Sequence, residues 1–193
     1  MLKDAITIIT GAGSGIGCAT ALAFAAAGAS VVLAGRRREP LDETAASVRK
    51  LGAKAWVRCV DLEDGESAAM LGAWAVEEFG HVDVLVNNAG HSTKVRSLRY
   101  INPAEFESVF KVNVDAVYRL TQSLMASMVA RESGTVVTVA SMAALGPNLL
   151  GGVAYGAAKA AEVALMKGMN SELRSYGIRA CTINSRRSQH RGT

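Results

Sequence analysis

The sequence predicts an α/β fold, a doubly wound parallel sheet with helices on both faces, formed by a single domain. Strand-like and helix-like segments alternate along the chain, a pattern that favours a parallel sheet. The length of 193 residues suffices for one domain with a sizeable core, and is short for two. Half of the residues are apolar, a fifth are charged and only 3 are proline, as is typical of a globular protein.

Three strand–helix units are expected in the first half of the chain. Short β-branched or apolar runs predict the strands, and Ala-rich stretches or apolar residues at helical spacing predict the helices. Gly28, Gly52 and Gly80 follow the three helices and suit their carboxyl ends. The strands are expected at residues 5–10, 30–34 and 55–60, and the helices at residues 16–27, 41–51 and 66–79.

The second half of the chain continues the alternation with longer helices. Strands are expected at residues 82–86, 135–140 and 179–183, and long helices at residues 103–129 and 153–176. The sequence contains no internal repeat, and residues 185–193 are its only candidate linker. We therefore expect one domain over residues 1–184, followed by a basic tail at 185–193.

The basic net charge is concentrated at the end of the chain. Arg186, Arg187 and Arg191 lie in the last nine residues, which contain no acid, so the rest of the chain carries +1 of the net +4. A nucleic-acid-binding protein would present a basic face with aromatic or groove-reading elements. Since the body shows neither, we expect no nucleic-acid partner.

The cysteines and histidines show no metal-ligand spacing. Cys18, Cys59 and Cys181 are far apart, as are the 3 histidines, which predicts buried, reduced thiols and no metal site. No run approaches the roughly 18 apolar residues of a membrane span, and the first strand begins too early to leave room for a signal peptide. A cytoplasmic protein without a membrane partner is expected.

A glycine-rich loop separates the first strand from the first helix. Residues 10–17 read TGAGSGIG. Gly11 would permit the tight turn, while Gly15 and Gly17 would let the backbone approach a pyrophosphate at the helix amino terminus. The spacing differs from a Walker loop, because Gly17 occupies the position of its lysine. The context predicts a dinucleotide site, although many turns are rich in glycine.

An arginine cluster follows the second strand, where a dinucleotide-binding fold reads the adenosine ribose. An acid at this position binds a free 2′-hydroxyl, whereas arginine accommodates a 2′-phosphate. Arg36, Arg37 and Arg38 stand here, and the first acid is Glu39. The cluster favours NADP over NAD. The alternative is a solvated turn with no ligand.

Ser141, Tyr155 and Lys159 form a chemically coherent group. Tyr155 and Lys159 are four residues apart and share a helix face, and Ser141 ends the fifth strand. Tyr155 could protonate a carbonyl oxygen, and the Lys159 ammonium could lower the tyrosine pKa from about 10. Ser141 could hydrogen-bond the same oxygen. The alternative is an ordinary surface pair of tyrosine and lysine.

With these segments in order, the chain resembles the short-chain dehydrogenase/reductase family over about residues 1–184. The resemblance is carried by TGAGSGIG at 10–17, DL at 61–62, NNAG at 87–90, Asn113, Ser141 and YGAAK at 155–159. It implies a Rossmann fold and an oxidoreductase that transfers hydride between NADP(H) and a carbonyl or alcohol substrate. It also implies oligomers formed through the two long helices.

The resemblance adds roles that spacing does not provide. Asp61 and Leu62 would contact the adenine, Asn113 would hold a water in a proton relay, and Lys159 would bind the nicotinamide ribose. The residues expected to bind the cofactor are Thr10, Gly11, Ser14, Gly15, Ile16, Gly17, Arg36, Arg37, Asp61, Leu62, Asn88, Ala89, Gly90, Tyr155 and Lys159. Those expected to act in catalysis are Asn113, Ser141, Tyr155 and Lys159.

The sequence departs from the family pattern after Asn184. The family continues with Pro-Gly, a substrate-covering loop, another helix and a last strand, whereas this chain continues with its basic tail. Two interpretations are open: an active NADP-dependent oxidoreductase, or a shortened, impaired form that binds cofactor or partner subunits only. Residues 143–153, apolar and rich in glycine, are expected to line the pocket of an uncharged substrate.

Overall fold

A six-stranded parallel sheet forms the centre of the protein, as seen in a computed structural model that describes residues 2–146 and 151–185. The strand order is β3-β2-β1-β4-β5-β6. The strands are β1 Ile6–Thr10, β2 Ser30–Gly35, β3 Ala55–Cys59, β4 Val84–Asn87, β5 Gly134–Ser141 and β6 Ile178–Ser185. This confirms the doubly wound α/β fold in one domain.

Helices lie between the strands in the predicted order. They are α1 Gly15–Ala26, α2 Arg38–Lys50, α3 Gly65–Phe79, α4 Pro103–Phe110, α5 Ala116–Ala130 and α6 Val153–Leu173. The ends of the predicted strands and helices differ from the observed ones by at most three residues. Fraying and capping make such ends the least defined part of any element.

The direction of winding reverses between β1 and β4. The chain first builds β1, β2 and β3 outward in one direction, and then returns to place β4 on the other side of β1. In open α/β sheets, ligands bind outside the carboxyl ends of the strands at such a reversal. The loops after Thr10 and Asn87 therefore mark the expected binding position.

Two apolar layers cover the two faces of the sheet. Neighbouring residues of β1 belong to different layers, since Ile8 joins the layer with α3, α5 and α6 and Ile9 joins the layer with α1 and α2. Both side chains are completely buried. This alternation follows the two-residue period of a strand.

The helix predicted at 103–129 is not uniformly α-helical. A π-helical segment, Lys111–Asp115, separates α4 from α5. Within it, the Asn113 side chain donates from Nδ2 to the Val109 carbonyl at 2.8 Å and to the His91 carbonyl at 3.0 Å. A side chain that bonds a helix carbonyl competes with the backbone ladder, and such bulges are frequent at functional sites.

The expected burial of the cysteines is wrong. Cys59 and Cys181 are exposed, Cys18 is half-buried, and all three thiols are free. Cys59 and Cys181 lie on β3 and β6, the outermost strands of the described sheet, and at the start of β6 the exposed side chains of Arg179 and Cys181 alternate with the buried Ile178 and Ala180. Edge position, which the sequence did not show, determines their exposure.

None of the helices within residues 2–146 and 151–185 is both long enough and apolar enough to cross a membrane. The predicted basic tail falls outside the described residues from Arg186 onward, and so does part of the predicted pocket segment, residues 147–150.

Candidate active site

The glycine-rich loop joins β1 to α1 in a conformation that requires glycine. Gly11 and Gly15 have φ values of +64° and +55°, in the left-handed region that side chains disfavour. A Cβ on Gly11 would lie 2.9 Å from Nδ2 of Asn88, and one on Gly17 would collide with the Gly11 carbonyl oxygen. Gly17 therefore needs to be glycine because the Gly11 backbone approaches it closely, and Gly15 because its φ is positive.

Gly17→Ala should destabilise the protein by about 1–3 kcal/mol, because the added methyl overpacks against backbone, and should displace the loop. Gly168→Ala on α6 is the matched control: no atom lies within 4 Å of a Cβ there. Alanine is a better helix former than glycine, so Gly168→Ala should stabilise the protein by up to about 1 kcal/mol. Denaturant unfolding measures both. Equal stability of the two variants would contradict the close contact at Gly17.

Asn88 holds the glycine-rich loop against β4. Its Nδ2 donates to the carbonyls of Thr10 at 2.9 Å and Gly11 at 3.3 Å. In return, the Thr10 hydroxyl accepts the backbone N–H groups of Asn88 and Ala89, both at 3.0 Å. We call this set of bonds between residues 10–11 and 88–89 the Thr10–Asn88 clamp. It gives Thr10 and Asn88 a structural contribution that the sequence did not reveal.

The amino terminus of α1 has the properties of an anion site. Ser14 is its N-cap but makes no side-chain capping bond, and the first turn contains no acidic residue. Neither the Ser14 side chain nor an acid of the first turn thus compensates the first N–H groups of the helix and its positive dipole end. A pyrophosphate fits this chemistry.

A groove of about 360 Å³ runs from the glycine-rich loop across the carboxyl ends of the strands. The expected cofactor residues that line it are Gly11, Ser14, Arg36, Arg37, Asp61, Leu62, Asn88, Ala89 and Gly90. His91 and Val112 also line it, and no sequence pattern pointed to either residue. Thr10, Gly15, Ile16, Gly17, Tyr155 and Lys159 are not among its lining residues.

A larger, more open depression of about 610 Å³ lies at the opposite end of the sheet, around Asp83. The Asp83 carboxylate accepts the Ile6 N–H at 2.8 Å and an Arg131 N–H at 2.9 Å. These bonds connect the amino-terminal ends of strands, which is where ligands of open α/β sheets do not bind. The depression is therefore explained by structural contacts.

Ser141, Tyr155 and Lys159 come together beside the groove. Ser141 ends β5, its Oγ accepts the Ala143 N–H at 3.2 Å, and its side chain hydrogen-bonds that of Tyr155. The Lys159 Nζ lies 5.6 Å from the centre of the Tyr155 ring. It donates to the Val139 carbonyl at 3.0 Å and to Oε1 of Glu162 at 2.8 Å.

Asn113 and Lys159 meet at Gly90. A Cβ on Gly90 would lie 2.5 Å from Oδ1 of Asn113 and 3.3 Å from Nζ of Lys159. Asn113 is completely buried, and within the described chain its Oδ1 has no hydrogen-bond partner. A buried acceptor without a partner is costly, so this oxygen is positioned for a polar group that the described residues do not supply.

The family model for short chain dehydrogenases matches residues 5–186. The chain belongs to the short-chain dehydrogenase family. It is therefore an oxidoreductase by class.

Relatives of this short-chain dehydrogenase include proteins bound to either nicotinamide dinucleotide. The 3-oxoacyl-(acyl-carrier-protein) reductase of Thermotoga maritima is 32% identical over 94% of this chain and 73% of its own length. A metagenomic short-chain oxidoreductase in complex with NADP superposes with a TM-score of 0.91 at 31% identity, over 95% of this chain and 82% of the other. An NAD+-bound xylitol dehydrogenase superposes with a TM-score of 0.87 at 31% identity, over 95% of this chain and 70% of the other.

In this short-chain dehydrogenase the pKa of Tyr155 is raised overall. Burial raises the pKa of the Tyr155 phenol, the hydrogen bond to Ser141 lowers it in part, and the negative charge of Glu162 raises it again. The Lys159 ammonium bonds Glu162 and Val139 and lies 5.6 Å from the centre of the Tyr155 ring, and the lowering of the Tyr155 pKa by Lys159 stays a prediction.

Glu162 is a site residue that sequence reasoning missed. Its side chain is 1% exposed and forms an ion pair with Lys159. A signal was available, because Glu162 lies four residues from both Ala158 and Met166, the buried positions before and after it on α6. An acid in a buried apolar stripe needs a charged partner, and Lys159 is three residues away.

Proposed function

We propose that this short-chain dehydrogenase transfers hydride between NADP(H) and an uncharged carbonyl or alcohol substrate. The convergence of Ser141, Tyr155 and Lys159 beside a groove that contains Arg36 and Arg37 is the observation that carries the proposal. Hydride transfer to a carbonyl carbon requires a proton at the oxygen, and this arrangement offers a phenol and a hydroxyl for that oxygen.

The proposed roles follow from the contacts of each residue. Tyr155 donates the proton: burial raises the pKa of its phenol, so the group is protonated at neutral pH, and a neighbouring positive charge makes it a stronger acid. Ser141 bonds the same oxygen and stabilises its developing charge. Lys159, with two of its three N–H groups committed to Glu162 and Val139, keeps one for a ribose hydroxyl. The nicotinamide ring supplies the hydride when the cofactor is bound.

The residues present fit a dinucleotide. The pyrophosphate would lie at the start of α1, with Ser14 and Gly15, and the adenine beside Asp61 and Leu62. Asp61 uses Oδ1 to accept the Glu63 N–H at 3.0 Å, which fixes the turn after β3. The Asn113 Oδ1 and Lys159 Nζ both lie near Gly90, which lines the groove, and the nicotinamide would lie beside them.

The arginines at the end of β2 support NADP. Arg38 is paired with Asp42 at 2.8 Å, whereas Arg36 and Arg37 line the groove and are exposed. No acidic side chain precedes Glu39 at this strand end. Guanidinium groups are suited to a phosphate because they donate bidentate, charge-assisted hydrogen bonds.

We expect NADPH to bind more tightly than NADH by roughly tenfold or more, since two charge-assisted bonds to the 2′-phosphate are available. Arg36→Ala and Arg37→Ala should each reduce this preference. Arg38→Ala is the matched control, because its partner is Asp42, and should leave it unchanged. Fluorescence titration of each variant with both cofactors measures the ratio. Equal affinities in the unaltered protein would exclude the phosphate-binding role.

The apolar surface near Ser141 and Tyr155 supports the proposal of an uncharged substrate. Met142, Leu145 and Val153 flank these residues and are exposed, and their side chains carry no charge. The deciding experiment measures turnover of a panel of neutral ketones and aldehydes and of their analogues that carry a carboxylate. The loss of NADPH absorbance reports the reaction. Turnover should be confined to the neutral members. Cofactor binding without turnover of any carbonyl would refute the proposal.

A further inference from the structure

The buried side of Lys159 is held by a carboxylate of its own helix. Its Nζ donates to Glu162 at 2.8 Å and to the Val139 carbonyl at 3.0 Å. The two side chains of the ion pair are 4% and 1% exposed. A buried ion pair gives little net stability relative to apolar packing of the same volume. Its place beside Tyr155 therefore points to a role in the site.

The contacts of the pair fix the ammonium in one position. Nζ lies 3.3 Å from the point that a Cβ on Gly90 would occupy, and 5.6 Å from the Tyr155 ring centre. Two of its three N–H groups bond Glu162 and Val139, which leaves one. An unpaired lysine would carry considerable rotamer freedom, and the two bonds remove it before any ligand arrives.

The charges that act on this position come from α6 itself. Lys159 attracts Glu162, and Glu162 in turn acts on Tyr155. The other elements packed against α6 also carry titratable groups, such as Glu105 on α4 and Arg174 in the short helical turn after α6, but the shifts in the pKa of Tyr155 and Glu162 come from burial, Ser141 and the Lys159–Glu162 pair. The groups that approach Lys159 from these elements are the Val139 carbonyl of β5 and the Asn113 amide, and both are neutral.

We propose that Glu162 is a positioning residue that fixes Lys159 beneath Gly90 and offsets its charge, so that Tyr155 is kept as a proton donor. This inference rests on the proposed function of Tyr155 as the acid. Two directions of shift agree with it: Glu162 raises the pKa of Tyr155, and burial raises the pKa of Glu162 itself to about 7, against the attraction of Lys159. The charge of Glu162, which offsets that of Lys159, therefore changes near neutral pH.

The test is a pH titration of Tyr155 by NMR, with ring-labelled tyrosine in the full chain and without substrate. The Tyr155→Phe variant assigns the signal. Glu162→Gln retains an oxygen that accepts from Lys159 but removes the charge, so the pKa of Tyr155 should fall. Glu172→Gln removes the same charge from an exposed position of α6 and should leave Tyr155 unchanged.

A Tyr155 titration that is identical in Glu162→Gln and the unaltered protein would overturn the inference. If that variant does not fold, labelled glutamate in the unaltered protein decides instead. Titration near neutral pH of one glutamate, with a simultaneous change at Tyr155, supports the inference. Titration of every glutamate near the ordinary value of 4.5 contradicts it. None of these measurements uses turnover, so a failure of the proposed reaction would be seen separately, in the carbonyl panel.

Discussion

Replacing Tyr155 with phenylalanine should lower turnover by about 10²–10⁴, the usual contribution of a positioned general acid, while the affinity for the cofactor changes little. The substitution removes only the hydroxyl that hydrogen-bonds Ser141 and keeps the ring against Lys159. Stability should change by less than about 2 kcal/mol, because the group is only partly buried.

Tyr118→Phe provides the control for this change. Tyr118 lies on α5, is 46% exposed, and loses the same hydroxyl. Steady-state rates with the substrate found in the carbonyl panel, together with cofactor titration, separate the two effects. A Tyr155→Phe enzyme that retained most of its turnover would show that another group supplies the proton.

Lys159→Met should destabilise the protein by about 3–5 kcal/mol, because it leaves the Glu162 carboxylate buried without its partner. The double variant Lys159→Met with Glu162→Leu should recover most of this loss, since apolar replacement of a buried pair is often neutral. Neither variant should show turnover, as both lack the ammonium. Lys167→Met, exposed on the same helix, is the control for the loss of a positive charge.

The destabilisation of Lys159→Met should depend on pH in a defined direction. The folded-state pKa of Glu162 is already raised to about 7, and loss of the ammonium raises it further. A carboxyl whose pKa is raised by folding reduces stability as pH rises from its unfolded value, near 4.5, through its folded value. Since the unfolded value is common to both proteins, the deficit should shrink as the pH falls from the variant's higher folded-state pKa to about 7, and level off below it. Urea unfolding at several pH values measures it, and a deficit that grows toward low pH would exclude Glu162 as its source.

The parts of the fold set by local backbone chemistry could be predicted from the sequence. The loop at residues 10–17 needs glycine at Gly11 and Gly15 because of their φ values, and this need is visible in the amino-acid pattern. The strands and helices follow from their periodicities in the same manner. Even the reversal of winding at β4 follows once alternating units are recognised as a doubly wound sheet.

The parts set by long-range contacts could not be predicted. The Thr10–Asn88 clamp joins residues separated by 78 positions, and no local sequence pattern predicts it. The position of β3 and β6 at the edges of the described sheet, which exposes Cys59 and Cys181, depends on strand order. The raised pKa of Tyr155 depends on burial and on Glu162. Spacing showed that Lys159 would be near, but not which group would hold its charge.

The Thr10–Asn88 clamp also bears on the thermodynamics of cofactor recognition. With residues 10–11 tied to residues 88–89 by four hydrogen bonds, the loop has its shape before any nucleotide arrives. The protein then loses little conformational entropy on association, and most of the ordering cost falls on the dinucleotide, whose bonds rotate freely in water. Preorganisation of this kind favours retention of the nucleotide through a low rate of dissociation, without any additional contact to it.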